Sequence, residues 1–247
     1  MNDTRPTFHQ QLDAVKTDVA RLAAMVTDVI PRGTQVLLNG DLDGSQTLIE
    51  HDDELDRLTL EIEEQCYALL VLQQPMASDL RIIVSALRMA SEIERSGDLV
   101  VNIAKTMRRI YGDVLTPSIR GLIEQMSEEA AKLYKAAIDA YLDQDAALAA
   151  AIDDMDDVLD DLQKDFIEAI IAGHEAGRID LNAAVQLALI ARYYERIGDH
   201  AVNMGERVQY LVTGWLPEHA AAAVAEARDR HRPGPVEAEV AERTEDG

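Results

Sequence analysis

The sequence predicts an all-α protein built as two tandem three-helix bundles, six long antiparallel helices in all. Three observations carry this. Apolar residues return every three or four positions through long stretches, and no segment alternates with the period of two that a strand requires. Proline and glycine fall between these stretches, at Pro31-Arg-Gly33, Asn39-Gly40, Pro75, Gly112, Pro117, Gly173 with Gly177, Gly214 and Pro217. Two acidic segments recur about 100 residues further on, in the same order.

The first helix is predicted from Phe8 to Ile30, where Leu12, Val15, Val19, Leu22, Val26 and Val29 form one apolar stripe. Residues 41–73 continue the rhythm through Leu48, Leu55, Leu58, Ile62, Leu69 and Leu72, with charge on the opposite face. A third helix is expected to start at Ser78, capped there with Asp79 one position on, and to run to about Tyr111. Residues 8–112 thus read as one three-helix unit and 119–213 as its duplicate. The organisation this gives is a first repeat over 1–116, a second over 117–216 and an acidic tail over 217–247. The part from 218 onward has eight acids and four arginines but no core stripe, so disorder is expected after about Asp229.

With 46 acidic against 23 basic side chains, the 247-residue chain has a formal charge of −23, and its 47% apolar content suffices for a core. Direct nucleic-acid contact is set aside, because phosphate neutralisation needs clustered Lys and Arg. The single cysteine, Cys66, rules out an internal disulfide and a thiolate zinc cage, and is expected in the core. No run approaches the ~18 apolar residues of a membrane span, and residues 1–13 lack the features of a secretory signal. A cytoplasmic protein that meets membranes only through partners is expected.

The repeat is most telling at Glu94-Arg-Ser-Gly-Asp98-Leu-Val-Val-Asn102, which recurs as Glu195-Arg-Ile-Gly-Asp199-His-Ala-Val-Asn203 at an offset of 101. Asp52 and Asp56 likewise recur as Asp156 and Asp160 at an offset of 104. Helix positions four apart share a face, so Glu94, Asp98 and Asn102 form one stripe of oxygen donors, and Glu195, Asp199 and Asn203 another. Antiparallel packing of each unit's second and third helices can bring four carboxylates together. Such a hard, oxygen-rich set suits magnesium, calcium, manganese or oxidised iron, one ion or several bridged. Gly97 and Gly198 sit mid-helix, where glycine is unfavourable, and point to close helix approach.

Competing readings follow from the same residues. The runs 50–64 and 153–168, each with eight acids and one base, could be solvated faces of a scaffold without metal. Arg95 and Arg196 could turn the clusters into salt-bridge networks. A di-iron oxidoreductase wants Glu-x-x-His on two helices, and no histidine here has a glutamate three positions before it. Neither a Ser/His/Asp set, a Cys/His pair nor a phosphate loop is present, so the chain is read as a non-enzyme. His200, His51 and His174 are read as surface or packing residues, and Trp215 as packed on the bundle end.

The segments Gln74-Pro-Met-Ala-Ser-Asp-Leu-Arg81, Glu94-Arg-Ser-Gly-Asp98 and Tyr194-Glu-Arg-Ile-Gly-Asp-His200, on duplicated acidic helices, resemble those of the PhoU family, accessory regulators of the bacterial and archaeal phosphate-specific transport system. The resemblance spans about 8 to 213; Ser96 departs from the more usual aliphatic residue of the motif. It implies a six-helix fold, usually a homodimer, that binds metal ions or clusters on the repeated acidic motifs (iron, manganese, zinc, magnesium or calcium). The ligands it implies are Glu94, Asp98, Glu195 and Asp199, with Asp52, Asp56, Asp156 and Asp160 from the preceding helices. The partners it implies are the transporter's ATPase and the phosphate-sensing histidine kinase, with repression of the phosphate-starvation response as the outcome.

Overall fold

The computed structural model describes residues 4–73, 75–112 and 115–215, which form six α-helices with no strand among them. The helices are α1 (Thr4–Asn39), α2 (Leu42–Gln73), α3 (Ser78–Arg109), α4 (Pro117–Asp143), α5 (Ala146–Glu175) and α6 (Leu181–Thr213). α1, α2 and α3 pack on one another, as do α4, α5 and α6; the two groups meet where α3 crosses α6 and where α1 crosses α4. The predicted stripes are the buried faces at Leu12, Val15, Val19, Leu22 and Val26 on α1 and at Leu48, Leu55, Leu58, Ile62 and Leu69 on α2. Val29, by contrast, is only partly buried, and Leu72, in the last turn of α2, is exposed and not part of the core. Cys66 lies fully inside, and burial, with Glu63 nearby, pushes its thiol up to about 12, leaving it inert.

Local signals start and stop the second-half helices. Thr116, Asp145 and Asp180 accept hydrogen bonds from the first free amides of α4, α5 and α6. Gly214, at φ 79°, closes α6 in the left-handed conformation that glycine adopts without strain.

Four expectations are corrected. α1 runs through Pro31 and Gly33 to Asn39 rather than ending near Ile30. The proline removes one backbone bond, but Val36, Leu37 and Leu38 beyond it are buried, and that packing outweighs the loss. Gly173 lies inside α5, with only Gly177 in the turn that follows. Ser78 does not cap α3. The cap position is Ala77, at φ 50° and ψ −113° with no side-chain bond, because Ser78 is already in the helix and its hydroxyl comes one residue too late. Trp215 is 73% exposed rather than packed on the bundle end. The expectations for 217–247 lie outside the described residues.

Two polar seams hold the bundles together. Along α1 and α4, the buried Thr34 hydroxyl lies 2.6 Å from Ser127 Oγ and 2.7 Å from Tyr194 Oη, while Arg120 donates to the Leu38 carbonyl and Lys16 to the Leu142 carbonyl at 2.8 Å. Along α3 and α6, Arg81 Nε donates to the Leu211 carbonyl at 3.4 Å, placing a cation on the negative C-terminal end of α6. The Arg81 segment singled out in the sequence thus ties the α2–α3 corner to the last helix. Replacing Thr34 by Val takes one partner from each of the buried Ser127 and Tyr194 hydroxyls, which still bond each other, and is expected to cost about 1 kcal/mol, read from the urea midpoint.

Candidate functional site

Each repeat places its acidic residues along one groove. In the second repeat, α6 presents Glu195 and Asp199 and α5 presents Asp156 and Asp160; Asp156, Asp160 and Glu195 are partly buried and Asp199 is exposed. Gly198 permits the approach. A Cβ there would collide with Asp156 Oδ1 and sit 2.8 Å from Leu159 Cδ2. Burial first, then Asp160, Asp199, Glu195 and Asp153, push the Asp156 carboxyl up to about 7. Glu195 is also raised, by burial and Asp199, although Arg192 donates a hydrogen bond to its Oε1 and pulls the other way. Asp156 Oδ1 and Glu195 Oε2 are buried acceptors without a hydrogen-bond donor.

The first repeat has the same plan with a looser grip. Glu94 and Asp98 on α3 face Asp52 and Asp56 on α2, with Asp52 and Glu94 partly buried and the other two exposed. Burial and then Asp98 raise Asp52, Asp56 and Glu94; Lys105 opposes the effect at Asp52 and Arg95 at Glu94. The space at Gly97 is taken by a side chain of the core, since a Cβ there would lie 2.8 Å from Leu55 Cδ1 rather than against a carboxylate. Beside this cluster a cavity of about 210 Å³ opens between α1, α2 and α3, with Asp52, Arg21, Arg32 and His51 around an apolar floor that includes Leu55 and Val100.

The eight sequence-predicted carboxylates therefore gather in two groups of four, one in each repeat. Among the described residues no three His, Cys, Asp or Glu side chains close into a finished metal cage. The donor chemistry nevertheless fits a hard cation. The groups are carboxylates, burial and the neighbouring negative charges raise Asp52, Asp56, Glu94, Asp156 and Glu195, and two buried oxygens of the second group lack any donor, a need that a cation or a proton meets.

Two neighbours differ from expectation, while His200 takes the packing alternative. In the second repeat the acidic motif is partnered by Arg192, one turn before Glu195, rather than by the adjacent Arg196, because only the former lies on the same helix face. Asn203 is drawn away from the donor stripe and donates through Nδ2 to Glu92 Oε2 on α3 at 3.2 Å. His200 is a buried seam residue, its Nδ1 2.7 Å from the same glutamate oxygen. His51 and His174 are exposed, each with Nδ1 on a nearby backbone carbonyl. Glu92 and Arg192 escaped the sequence reading; both break the repeat, with Tyr193 and Ser91 at their twin positions, and that asymmetry was the available signal.

Comparison with known proteins gives a single answer. The sequence model of the PhoU domain matches residues 19–107 and 123–208. The phosphate-specific transport system accessory protein PhoU homolog 1 of Mycobacterium tuberculosis is 33% identical over 214 residues, spanning 86% of this chain and 96% of that protein. Its namesake in Thermotoga maritima is 30% identical over 207 residues, 84% of this chain and 89% of the relative. Among crystal structures, the phosphate transport system regulatory protein PhoU from Streptococcus pneumoniae superimposes with a TM-score of 0.78 at 25% identity, covering 85% of this chain and 98% of that one. PhoU from Pseudomonas aeruginosa gives the same score at 27% identity, covering 84% and 100%.

Proposed function

The chain belongs to the PhoU family, and from that membership we propose that it is a phosphate-transport accessory protein acting as a metal-binding regulatory adaptor. In this reading it joins the phosphate-specific ABC transporter to the phosphate-sensing histidine kinase and represses the starvation response when phosphate is plentiful. It is not an enzyme and works as a cytoplasmic homodimer. No helix among the described residues is long and apolar enough to cross a membrane.

The observation that carries the metal part is the pairing of twin carboxylate groups with the unpartnered oxygens of Asp156 and Glu195. Glu94, Asp98, Asp52 and Asp56 would hold cations in the first repeat, and Glu195, Asp199, Asp156 and Asp160 in the second. Magnesium, calcium, manganese, iron and zinc are the candidates. A bound cation supplies positive charge where the protein has gathered negative charge, and so stiffens the α2–α3 and α5–α6 pairs. A chain this acidic offers a free phosphate ion little directly; the phosphate signal is expected to arrive through the transporter.

Two experiments test the two parts separately. In a bacterium lacking its own PhoU, expression of this chain in phosphate-rich medium is expected to silence a starvation-promoter reporter; a reporter that stays fully active rejects the regulatory assignment. For the metal, elemental analysis of protein purified without chelator is compared with the Asp98→Asn and Asp199→Asn variants. Each is expected to lose the cation of its own repeat, and an unchanged metal content in both rejects the ligand set.

A further inference from the structure

Glu92 on α3 and His200 with Asn203 on α6 meet in the seam between the bundles, away from the two carboxylate grooves. Glu92 Oε2 lies 2.7 Å from His200 Nδ1 and takes a hydrogen bond from Asn203 Nδ2 at 3.2 Å; His200 is 4% exposed. Ile93 and Ser96 on α3 and Ile197, Ala201 and Met204 on α6 are buried, and the fully buried Tyr134 of α4 lies close enough to Glu92 and Ser96 to interact with both.

The duplication supplies a control within the same molecule. α3 and α6 are twin helices at an offset of 101, and they run antiparallel: Arg81 meets the end of α6 while Arg109 reaches Gln186 near its start. The exchange that carries α3 onto α6 sends Glu92 to Tyr193 and His200 to Leu99, and both of those residues pack on the apolar core. The positions that carry the polar pair thus correspond, under the repeat, to Tyr and Leu. Apolar filling suits this geometry, so the polar pair is not a packing requirement.

Twin helices create a problem of choice. If α3 can seat against α6, it can also seat against α3 of a second copy, and α6 against α6. In an α3·α3 pairing each Glu92 would face Leu99 in place of His200 and keep only the amide of Asn102, the twin of Asn203. In α6·α6 each His200 would face Tyr193. Only α3 with α6 joins the Glu92 carboxyl to the His200 imidazole, whose Nε2 stays buried without a partner even there. A buried hydrogen-bonded pair adds little net stability over an apolar pair, but a wrong arrangement takes from each group the partner it has here. We propose that Glu92 and His200 form a pairing code that directs α3 onto α6 of the same chain and disfavours the like-with-like seams that would interlock two copies.

The test makes the seam symmetrical with the residues already at the twin position, in the variant Glu92→Tyr/His200→Leu. Tagged and untagged full-length chains are unfolded together, refolded at high concentration, then diluted. Interlocked species are counted as mixed particles that do not exchange subunits, which separates them from a dimer formed through an outer surface. The variant is expected to keep its helical signal and to raise the interlocked share at least about tenfold over the unaltered chain, the ratio that about 1.4 kcal/mol of lost discrimination gives. Glu92→Met/His200→Met, with more adaptable side chains, is expected to do the same. The reversed pair, Glu92→His/His200→Glu, is expected to stay at the unaltered level. Interlocked shares in both apolar variants equal to that of the unaltered chain would overturn the proposal. Loss of helical signal in both would also overturn it, by assigning the pair to stability rather than to choice of partner.

Discussion

Stripped of divalent cations, the protein is expected to become less stable as pH rises from about 5 to about 8, by on the order of 2 kcal/mol from Asp156 alone. In the folded chain burial and the carboxylates around it push this group up to about 7, whereas in the unfolded chain it titrates near the ordinary value of about 3.9. Between those values the folded state keeps a proton that the unfolded state releases. The stabilisation is complete below about pH 4, declines through the window and is gone above the folded value. The full shift would be worth about 4 kcal/mol, but the groove is partly open to water and screening removes much of it. Asp52, Asp56, Glu94 and Glu195 are raised for the same reasons and add slope in the same direction. Urea melts across this range check the expectation. Asp156→Asn should flatten the curve and make the metal-free protein more stable at pH 8. Added manganese or calcium should lift the parent protein at pH 8 far more than the variant. A variant with the parent's slope would show that Asp156 is not the group responsible.

Gly205→Val is expected to lower stability by about 3 kcal/mol or more. Gly205 is buried on α6 where α5 crosses, and a Cβ there would lie 2.8 Å from the Ala149 carbonyl oxygen and 3.1 Å from Ile152 Cδ1. Ile152 can turn aside, but a backbone carbonyl within α5 cannot move without shifting the helix. Separating the helices would also spread Asp156 and Glu195, so the variant is expected to bind divalent cation more weakly as well as to unfold earlier. Gly121→Ala is the matched control: nothing lies within 4 Å of its added methyl, and a helical glycine replaced by alanine gains up to about 1 kcal/mol. Chemical denaturation of the three proteins, with calcium titration calorimetry, reads both effects. Equal midpoints for Gly205→Val and the parent would mean that the crossing has slack.

The fold was legible because burial follows a simple rhythm. A stripe such as Val15, Val19, Leu22 and Val26 can hide only one face of a helix, and the duplicated Glu-x-x-Gly-Asp segments gave the repeat. The eight carboxylates could be sorted into two groups because helix spacing and antiparallel packing suffice to say which residues share a groove. Punctuation was less reliable. Pro31 carries the same local signal as Pro117, yet one sits inside a helix and the other begins one, and the difference lies in what Val36 and Leu37 find beyond it. The seam was out of reach for a related reason. Glu92 lies 108 and 111 positions from His200 and Asn203, and no periodicity reports which faces of two bundles will touch.

Beyond Pro31 the backbone ladder of α1 has a gap, and what keeps the stretch 31–39 helical is its surroundings: Val100 on α3 behind Gly33, then Ser127 and Arg120 of α4 against Thr34 and Leu38. The order of that stretch is therefore owned jointly, by its own repeat and by the other one. A gene split between the two repeats would yield a first half whose opening rod frays at its far end. Fusion of the copies thus does more than keep them near each other, because it lets one half finish the other's architecture.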